Sequence, residues 1–166
     1  MRVSQPLRPI ARLATELRTS GAGQVVIGLA GLLAALAFGD LSVVQALFPF
    51  VVVVALVGGI SVWSTRWMRN PALPKAEGGG AIEPANETVR RTVVVLVLPL
   101  VFMIVVVVVV PPAAVALAGV VAGVGAVDLW NYNWVRAREH AMRRGIYREL
   151  GPSTFTSGRR PLYTRP

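Results

Sequence analysis

The stretch TVVVLVLPLVFMIVVVVVVPPAAVALAGVVAGVGAV, residues 92–127, contains no charged side chain. Its 36 residues are too many for one crossing, because about 20 apolar residues span the hydrocarbon core of a bilayer. Pro111 and Pro112 divide the stretch near its middle, and a proline pair cannot continue a helix. The stretch therefore predicts two membrane-spanning helices joined by a tight turn at the prolines.

Two earlier stretches, residues 20–39 and 41–65, are also uncharged and of membrane-spanning length. We therefore predict an all-α integral membrane protein with four transmembrane helices in two helical hairpins. The predicted segments are a basic amphipathic segment 1–19, a first hairpin 20–65, a flexible linker 66–91, a second hairpin 92–134, and a basic helix with an extended tail 135–166.

The valine runs at 51–54 and 105–110 would indicate buried strands in a soluble protein. In lipid, an open strand leaves its backbone N–H and C=O groups unpaired at several kcal/mol each. The helix satisfies those groups internally and is therefore favoured despite the β-branched side chains. Pro99 removes one of these hydrogen bonds, and we expect a kink near Leu98.

The composition excludes several kinds of site. The chain is 54% hydrophobic and 15% charged, with a mean hydropathy of +0.61. It has no cysteine, which excludes disulfides, thiolate metal sites and cysteine nucleophiles, and its one histidine, His140, cannot form a metal site alone. There is no paired carboxylate, no Ser/His/Asp set and no phosphate-binding glycine loop. We therefore expect no cofactor and no enzymatic activity.

The basic residues predict the orientation of the chain. All 17 lysine and arginine residues lie in the N-terminal segment, in the central linker or in the C-terminal segment, whereas the two short turns carry none. By the positive-inside rule, both termini and the linker are cytoplasmic in a cell membrane. A cleaved signal peptide ending near Ala35-Leu36-Ala37 is the competing interpretation of the first span.

Aromatic residues close the predicted spans on that same side. Indole and phenol rings favour the headgroup level, so these residues form a predicted interfacial belt. Its members are Trp63, Trp67, Trp130, Tyr132 and Trp134.

An internal similarity relates the two hairpins. Residues 53–69 match residues 120–136 at eight of 17 positions, including a Trp-x-x-x-Trp-x-Arg pattern. The interpretation is either a tandem duplication, which gives parallel units about an axis along the membrane normal, or independent use of one belt motif. Small residues let helices approach closely in lipid, so Gly58, Gly59 and Gly125 are predicted packing positions, with Gly58-Gly59 facing the region of Gly125.

The polar segments have separate predictions. Apolar residues at helical spacing between Leu7 and Leu17 indicate an amphipathic helix, either on the inner leaflet or packed on the protein itself. Gly21-Ala22-Gly23 is expected to end or loosen it. Residues 135–150 are predicted to continue the fourth span as a basic helix. Arginines expected to contact the anionic inner leaflet or a partner are Arg66, Arg69, Arg136, Arg138, Arg143 and Arg144.

Asp128 is the only charge within a predicted span. Its position near Trp130 places it close to the interface, so pairing with Arg66, Arg91 or a backbone donor is the expected role. We predict a non-enzymatic accessory or structural subunit that associates with other membrane subunits or with itself, in a bilayer and without nucleic acid. The alternative is an oligomeric channel or transporter that uses Asp128 and Gln45.

The predicted topology can be tested with single cysteines, because the natural chain has none. We expect Leu41→Cys to react with a membrane-impermeant maleimide in intact cells, and Gly79→Cys to react only in inverted membrane vesicles. The opposite labelling pattern would contradict the orientation.

Overall fold

A computed structural model describes residues 9–66, 81–150 and 162–165. Within these ranges, four helices are long and apolar enough to span a membrane, which confirms the prediction of a helical multipass membrane protein. The helices are α1 (Leu13–Phe38), α2 (Val43–Ser64), α3 (Ala85–Val109) and α4 (Pro111–Met142). The strands are β1 (Ile10–Arg12), β2 (Gly145–Glu149) and β3 (Leu162–Arg165).

Local sequence signals set the helix ends at the two short turns. Ser42 accepts a hydrogen bond from the backbone N–H of Gln45, whose side chain accepts one from the backbone N–H of Ser42. This capping box satisfies free donors at the start of α2. Between α3 and α4, Val110 alone leaves the helical conformation, and Pro111 begins α4. The proline pair starts a helix, because the first turn needs no N–H donor from proline.

α1 and α4 form the central helix pair and make the most extensive contact among the described elements. α3 packs mainly on α1, and α2 packs mainly on α4. α1 and α2 touch each other little although they are consecutive. The two predicted hairpins therefore correspond to the order of the helices along the chain. The helices that pack most closely are the first and the last, α1 and α4.

Glycines allow the backbones of α1 and α4 to touch. A Cβ atom on Gly28 would lie 2.7 Å from the carbonyl oxygen of Ala118 and 2.7 Å from the Cβ of Ala122. A Cβ on Gly125 would lie 2.8 Å from the carbonyl oxygen of Gly21. Because such distances are shorter than real Cβ contacts, only glycine fits, and the helices gain close van der Waals packing in the absence of a hydrophobic driving force.

A small antiparallel sheet, in the order β1-β2-β3, covers one end of the helices. We call this end the sheet end and the opposite end, with the turns at Gly39–Ser42 and Val110, the turn end. Leu13, Val135 and Ile146 are buried together beneath the sheet. The segment before α3 joins the free edge of β1, where the N–H of Ile10 donates to Ala81 O at 3.0 Å and the N–H of Glu83 donates to Ile10 O at 2.9 Å. The segments before α1, before α3 and after α4 are thus held together.

Two predictions about the polar segments are wrong. The residues from Ile10 to Leu17 do not form a separate amphipathic helix, because Ile10–Arg12 is a strand and α1 begins at Leu13. Gly21 does not end a helix, since it lies inside α1 and packs against α4. Both differences follow from tertiary contacts. Residues 10–12 form a strand because they pair with β2, and Gly21 stays helical because α1 packs against the α4 backbone there.

The prediction that residues 135–150 continue the fourth span as a helix is confirmed as far as Met142 and is wrong beyond it. α4 ends at Met142, and Arg143 adopts the left-handed conformation with φ of 52°. The N–H of Arg144 then donates to Glu139 O at 3.2 Å, which closes the helix end. The chain continues as β2, which buries Ile146 in the cluster beneath the sheet.

Several predicted features lie outside the described residues. They are the first eight residues, the linker from Trp67 to Gly80 with Arg69, and residues 151–161 of the tail. The predicted kink at Pro99 stays a prediction, since α3 includes Pro99 within a continuous helix.

The glycine contact between α1 and α4 gives a direct test. Gly28→Ala forces the α4 backbone outward and should lower the free energy of unfolding by about 1–3 kcal/mol, as overpacking does. Gly59→Ala is the matched control, because nothing lies within 4 Å of a Cβ at that position. Thermal unfolding in one detergent measures both variants, and equal midpoints would contradict the packing.

Candidate functional site

In the described part of the chain, the side-chain hydrogen bonds and ion pairs that join different helices and strands lie toward the sheet end, where α1 meets α4. Ser20 of α1 donates a hydrogen bond of 2.9 Å to Asp128 Oδ2 of α4. This short link is possible because Gly21, beside Ser20, and Gly125, about one turn before Asp128, bring the two backbones into contact. The expected partners of Asp128, Arg66 and Arg91, lie elsewhere, so a hydroxyl rather than an arginine satisfies the carboxylate.

A polar stripe on α1 continues from this contact. Glu16, Ser20 and Gln24 are spaced four residues apart and therefore lie on one face of the helix. Gln24 Oε1 is buried and has no hydrogen-bond partner among the described residues. Sequence reasoning placed the start of the span at Ser20 and missed this stripe, although the four-residue spacing was the signal that could have identified it.

Glu16 connects α1 to two other elements. One of its carboxylate oxygens, Oε1, pairs with Arg148 of β2 and lies 3.8 Å from Nη1 of Arg91 on α3. The other oxygen, Oε2, is buried without a hydrogen-bond partner in the described ranges, as is Nε of Arg148. Glu16 thus ties α1, α3 and the sheet together through a partly buried charge cluster.

Glu83 repeats the arrangement at the start of α3. Its carboxylate accepts hydrogen bonds from Arg91 Nε and Nη2, both at 3.3 Å, and from Thr88 Oγ1 at 2.6 Å. Thr88 is fully buried. These contacts hold Arg91, which was a candidate partner of Asp128, between Glu83 and Glu16.

The carboxylate of Glu139 is buried, with 5% of its side chain exposed. It accepts hydrogen bonds from Arg12 Nε at 3.3 Å, from Arg12 Nη2 at 3.1 Å and from the backbone N–H of Ile146 at 3.0 Å. The hydrogen bonds from Arg12 to Glu139 raise the pKa of the Arg12 guanidinium. One carboxylate on α4 therefore holds both β1 and β2.

The predicted aromatic belt divides into two kinds of position. Trp63 and Trp130 are exposed near the sheet end, and the guanidinium of Arg66 lies 4.9 Å from the Trp63 ring centre. Tyr132 and Trp134 pack partly against the cluster beneath the sheet. Arg138 lies 5.0 Å from the Trp134 ring centre. Both tryptophan–arginine pairs have the separation of cation–π contacts.

The predicted packing glycines have different surroundings. Gly125 contacts α1, at Gly21 and Gln24, rather than α2. A Cβ on Gly58 would have Val127 as its nearest neighbour at 4.0 Å, and a Cβ on Gly59 would meet nothing within 4 Å. α2 contacts α4 instead through Val53 and Val54, which lie against Gly119 and Gly123 of α4.

Gln45 and Asp128 lie at opposite ends of the molecule. Gln45 belongs to the capping box of α2 at the turn end. Asp128 is 17 residues after Pro111, which corresponds to about 25 Å along α4 at 1.5 Å per residue. A second link at the depth of Asp128, from Asn131 Nδ2 to Thr65 Oγ1 at 3.2 Å, joins α4 to α2 and was not anticipated.

Among the described residues, no group of three or more His, Asp or Glu side chains could hold a metal ion. Comparison with known protein families, curated proteins and solved structures finds no match to this chain.

The carboxylate of Glu139 can be tested as the anchor of the sheet. Glu139→Ala leaves Arg12 and the N–H of Ile146 without their acceptor and should destabilise the sheet by about 2 kcal/mol. We expect faster amide hydrogen exchange in β1 and β2 with little change in the centre of α1. The control is Glu87→Ala, which removes an exposed carboxylate, and sheet protection equal to the wild type in both variants would refute the anchor.

Proposed function

We propose that this protein is a non-enzymatic accessory or structural subunit of a membrane assembly, held in the cell membrane with both ends and the linker in the cytoplasm. The observation that carries the proposal is the exposed surface of α2. Ala46 is its only buried residue, although the helix carries no charged residue over a membrane-spanning length.

Small residues lie on the exposed face of α2. Ala55 and Gly59 are both exposed and four residues apart, so they lie one above the other on that face. Small residues at this spacing let a second helix approach closely in lipid, where van der Waals packing drives association. The face opposite α4 is therefore the proposed surface for a helix of another subunit or of a second copy.

The remainder of the molecule supports a structural role. Three described carboxylates, of Glu16, Glu83 and Glu139, are engaged by arginines that tie helices and strands together. These groups stabilise the arrangement of the chain ends rather than project into a reaction site. Basic residues at the sheet end fit an anionic inner leaflet, where each contributes about 1 kcal/mol before screening.

An oligomeric channel or transporter is the second candidate. The buried oxygen of Gln24, whose Cβ lies against Gly125 one turn before Asp128, favours it, because polar groups at membrane depth often line ion pathways. Because Gln45 and Asp128 lie at opposite ends of the molecule, they cannot act together. A pathway would have to follow the polar stripe of Glu16, Ser20 and Gln24 on α1.

The second candidate predicts that Asp128→Asn reduces flux in a liposome assay, while the exposed control Asp40→Asn leaves flux unchanged. A wild-type protein that moves no ion or solute excludes this function.

The subunit proposal predicts that bulk at Gly59 blocks assembly without unfolding the protein. Gly59→Leu has open space around it and should keep the wild-type unfolding midpoint. Native mass spectrometry after mild extraction should show loss of the wild-type oligomer or co-purified partner. Val108→Leu, which adds bulk to an exposed position of α3, should leave the assembly intact. A wild-type protein that is only monomeric contradicts the proposal.

A further inference from the structure

A basic pocket lies at the sheet end, between the last turns of α4 and β1. Its volume is about 440 Å³, within the range of small-molecule sites. Its walls carry four arginines, one histidine and one carboxylate: Arg12, Arg136, Arg143, Arg144, His140 and Glu139.

The one carboxylate of the pocket is already committed. Glu139 receives two hydrogen bonds from Arg12 and one from the N–H of Ile146, and it lies 3.6 Å from Nη1 of Arg136. Arg143 and Arg144 form no ion pair with another described residue. The pocket therefore holds more positive than negative charge, and a bound anion would balance the excess.

Complementing the helix dipole does not account for so many arginines. The C-terminus of a helix carries about half of one negative charge, which a single cation in the last turn balances. Arg143 directly follows the end of α4 and can supply that cation, while Arg136 and Arg144 also line the pocket. The surplus of positive charge remains after the helix end has been satisfied.

The backbone of Arg143 gives an independent observation. Its φ of 52° and ψ of 35° place it in the left-handed region, where glycine is the residue without steric penalty. An arginine at this position carries strain that Gly would remove. Strained backbone of this kind clusters at binding sites, where it holds a side chain in a required place.

We propose that this pocket binds a phosphate group, carried by an anionic lipid headgroup or by a soluble phosphorylated compound. Guanidinium groups match phosphate because their planar donors can bind two oxygens at once. Arg143 and Arg144 supply the uncommitted donors, and Arg136 can turn from Glu139 to the ligand. Arg12 stays on Glu139 and fixes the floor of the pocket.

The depth of the pocket is compatible with both sources. Trp130 and Trp134 lie six and two residues before Arg136 on α4, and tryptophans favour the headgroup level. Arg136 is therefore near lipid phosphates, whereas Arg143 lies about 13 Å beyond Trp134 along the helix axis at 1.5 Å per residue. A headgroup that extends from the bilayer or a soluble phosphate can each reach the site.

The experiment uses the full chain in two arms. In the first arm, inorganic phosphate is titrated into protein in a neutral detergent, and binding is measured by calorimetry. In the second arm, nanodiscs contain phosphatidate or phosphatidylcholine alone, and native mass spectrometry counts the lipids retained after release. Selective retention of phosphatidate identifies a lipid headgroup as the ligand. Saturable binding of inorganic phosphate without selective retention of phosphatidate identifies a soluble phosphorylated compound. Either result supports phosphate binding in the pocket.

Three variants separate the site from general charge. Arg143→Gly should lower affinity about tenfold and should not lower the unfolding midpoint, since it removes backbone strain. Arg144→Gln should weaken binding to a similar extent. If Arg143→Gly does not fold, the affinity of Arg144→Gln tests the proposal. Arg90→Gln removes one exposed charge outside the pocket and should change affinity less than twofold. Equal losses in all three variants, or no saturable binding in either arm of the wild type, overturn the proposal.

Discussion

The contact between the backbones of α1 and α4 at Gly21, Gly28 and Gly125 is the constraint on which the other features depend. Lipid offers no hydrophobic drive for helices to associate, so close packing and interhelical hydrogen bonds must hold them together. The glycines provide the packing, and they also bring Ser20 within hydrogen-bond distance of Asp128. α2 and α3 then pack on the outer sides of this pair, and α2 is left with most of its surface exposed.

The same contact explains the sheet end. With the start of α1 beside the end of α4, β1 and β2 emerge next to each other and pair in an antiparallel sheet. Glu139 and Glu16 each join an α-helix to the sheet through arginines. Buried ion pairs of this kind need extra hydrogen bonds to offset desolvation, and the N–H of Ile146 supplies one to Glu139. The basic residues thus hold the chain ends together as well as facing the solvent or lipid.

The four helices could be predicted from sequence, because long uncharged stretches and a proline pair report directly on membrane spans. The strands could not be predicted, because β1 and β3 have only three and four residues, and the partner of β1 in β2 lies more than 100 positions away in the chain. The sequence marks Asp128 as the only charge within a predicted span, but it does not identify Ser20 as the hydrogen-bond partner, because Ser20 is the first residue of a predicted span. The choice of α4 rather than α2 as the main neighbour of α1 depends on glycine contacts, and glycine positions alone do not specify which helix they face.

Disulfide cross-linking in membranes tests the central pairing most directly, because the chain has no native cysteine. The account predicts that Ser20→Cys with Asp128→Cys forms an intramolecular disulfide in high yield under mild oxidation. Ser61 lies on α2 at the position that matches Asp128 in the internal similarity, so Ser20→Cys with Ser61→Cys is the comparison, and it should stay reduced. A disulfide in the second pair without one in the first would contradict an α1–α4 core and support a closed α1–α2 hairpin instead.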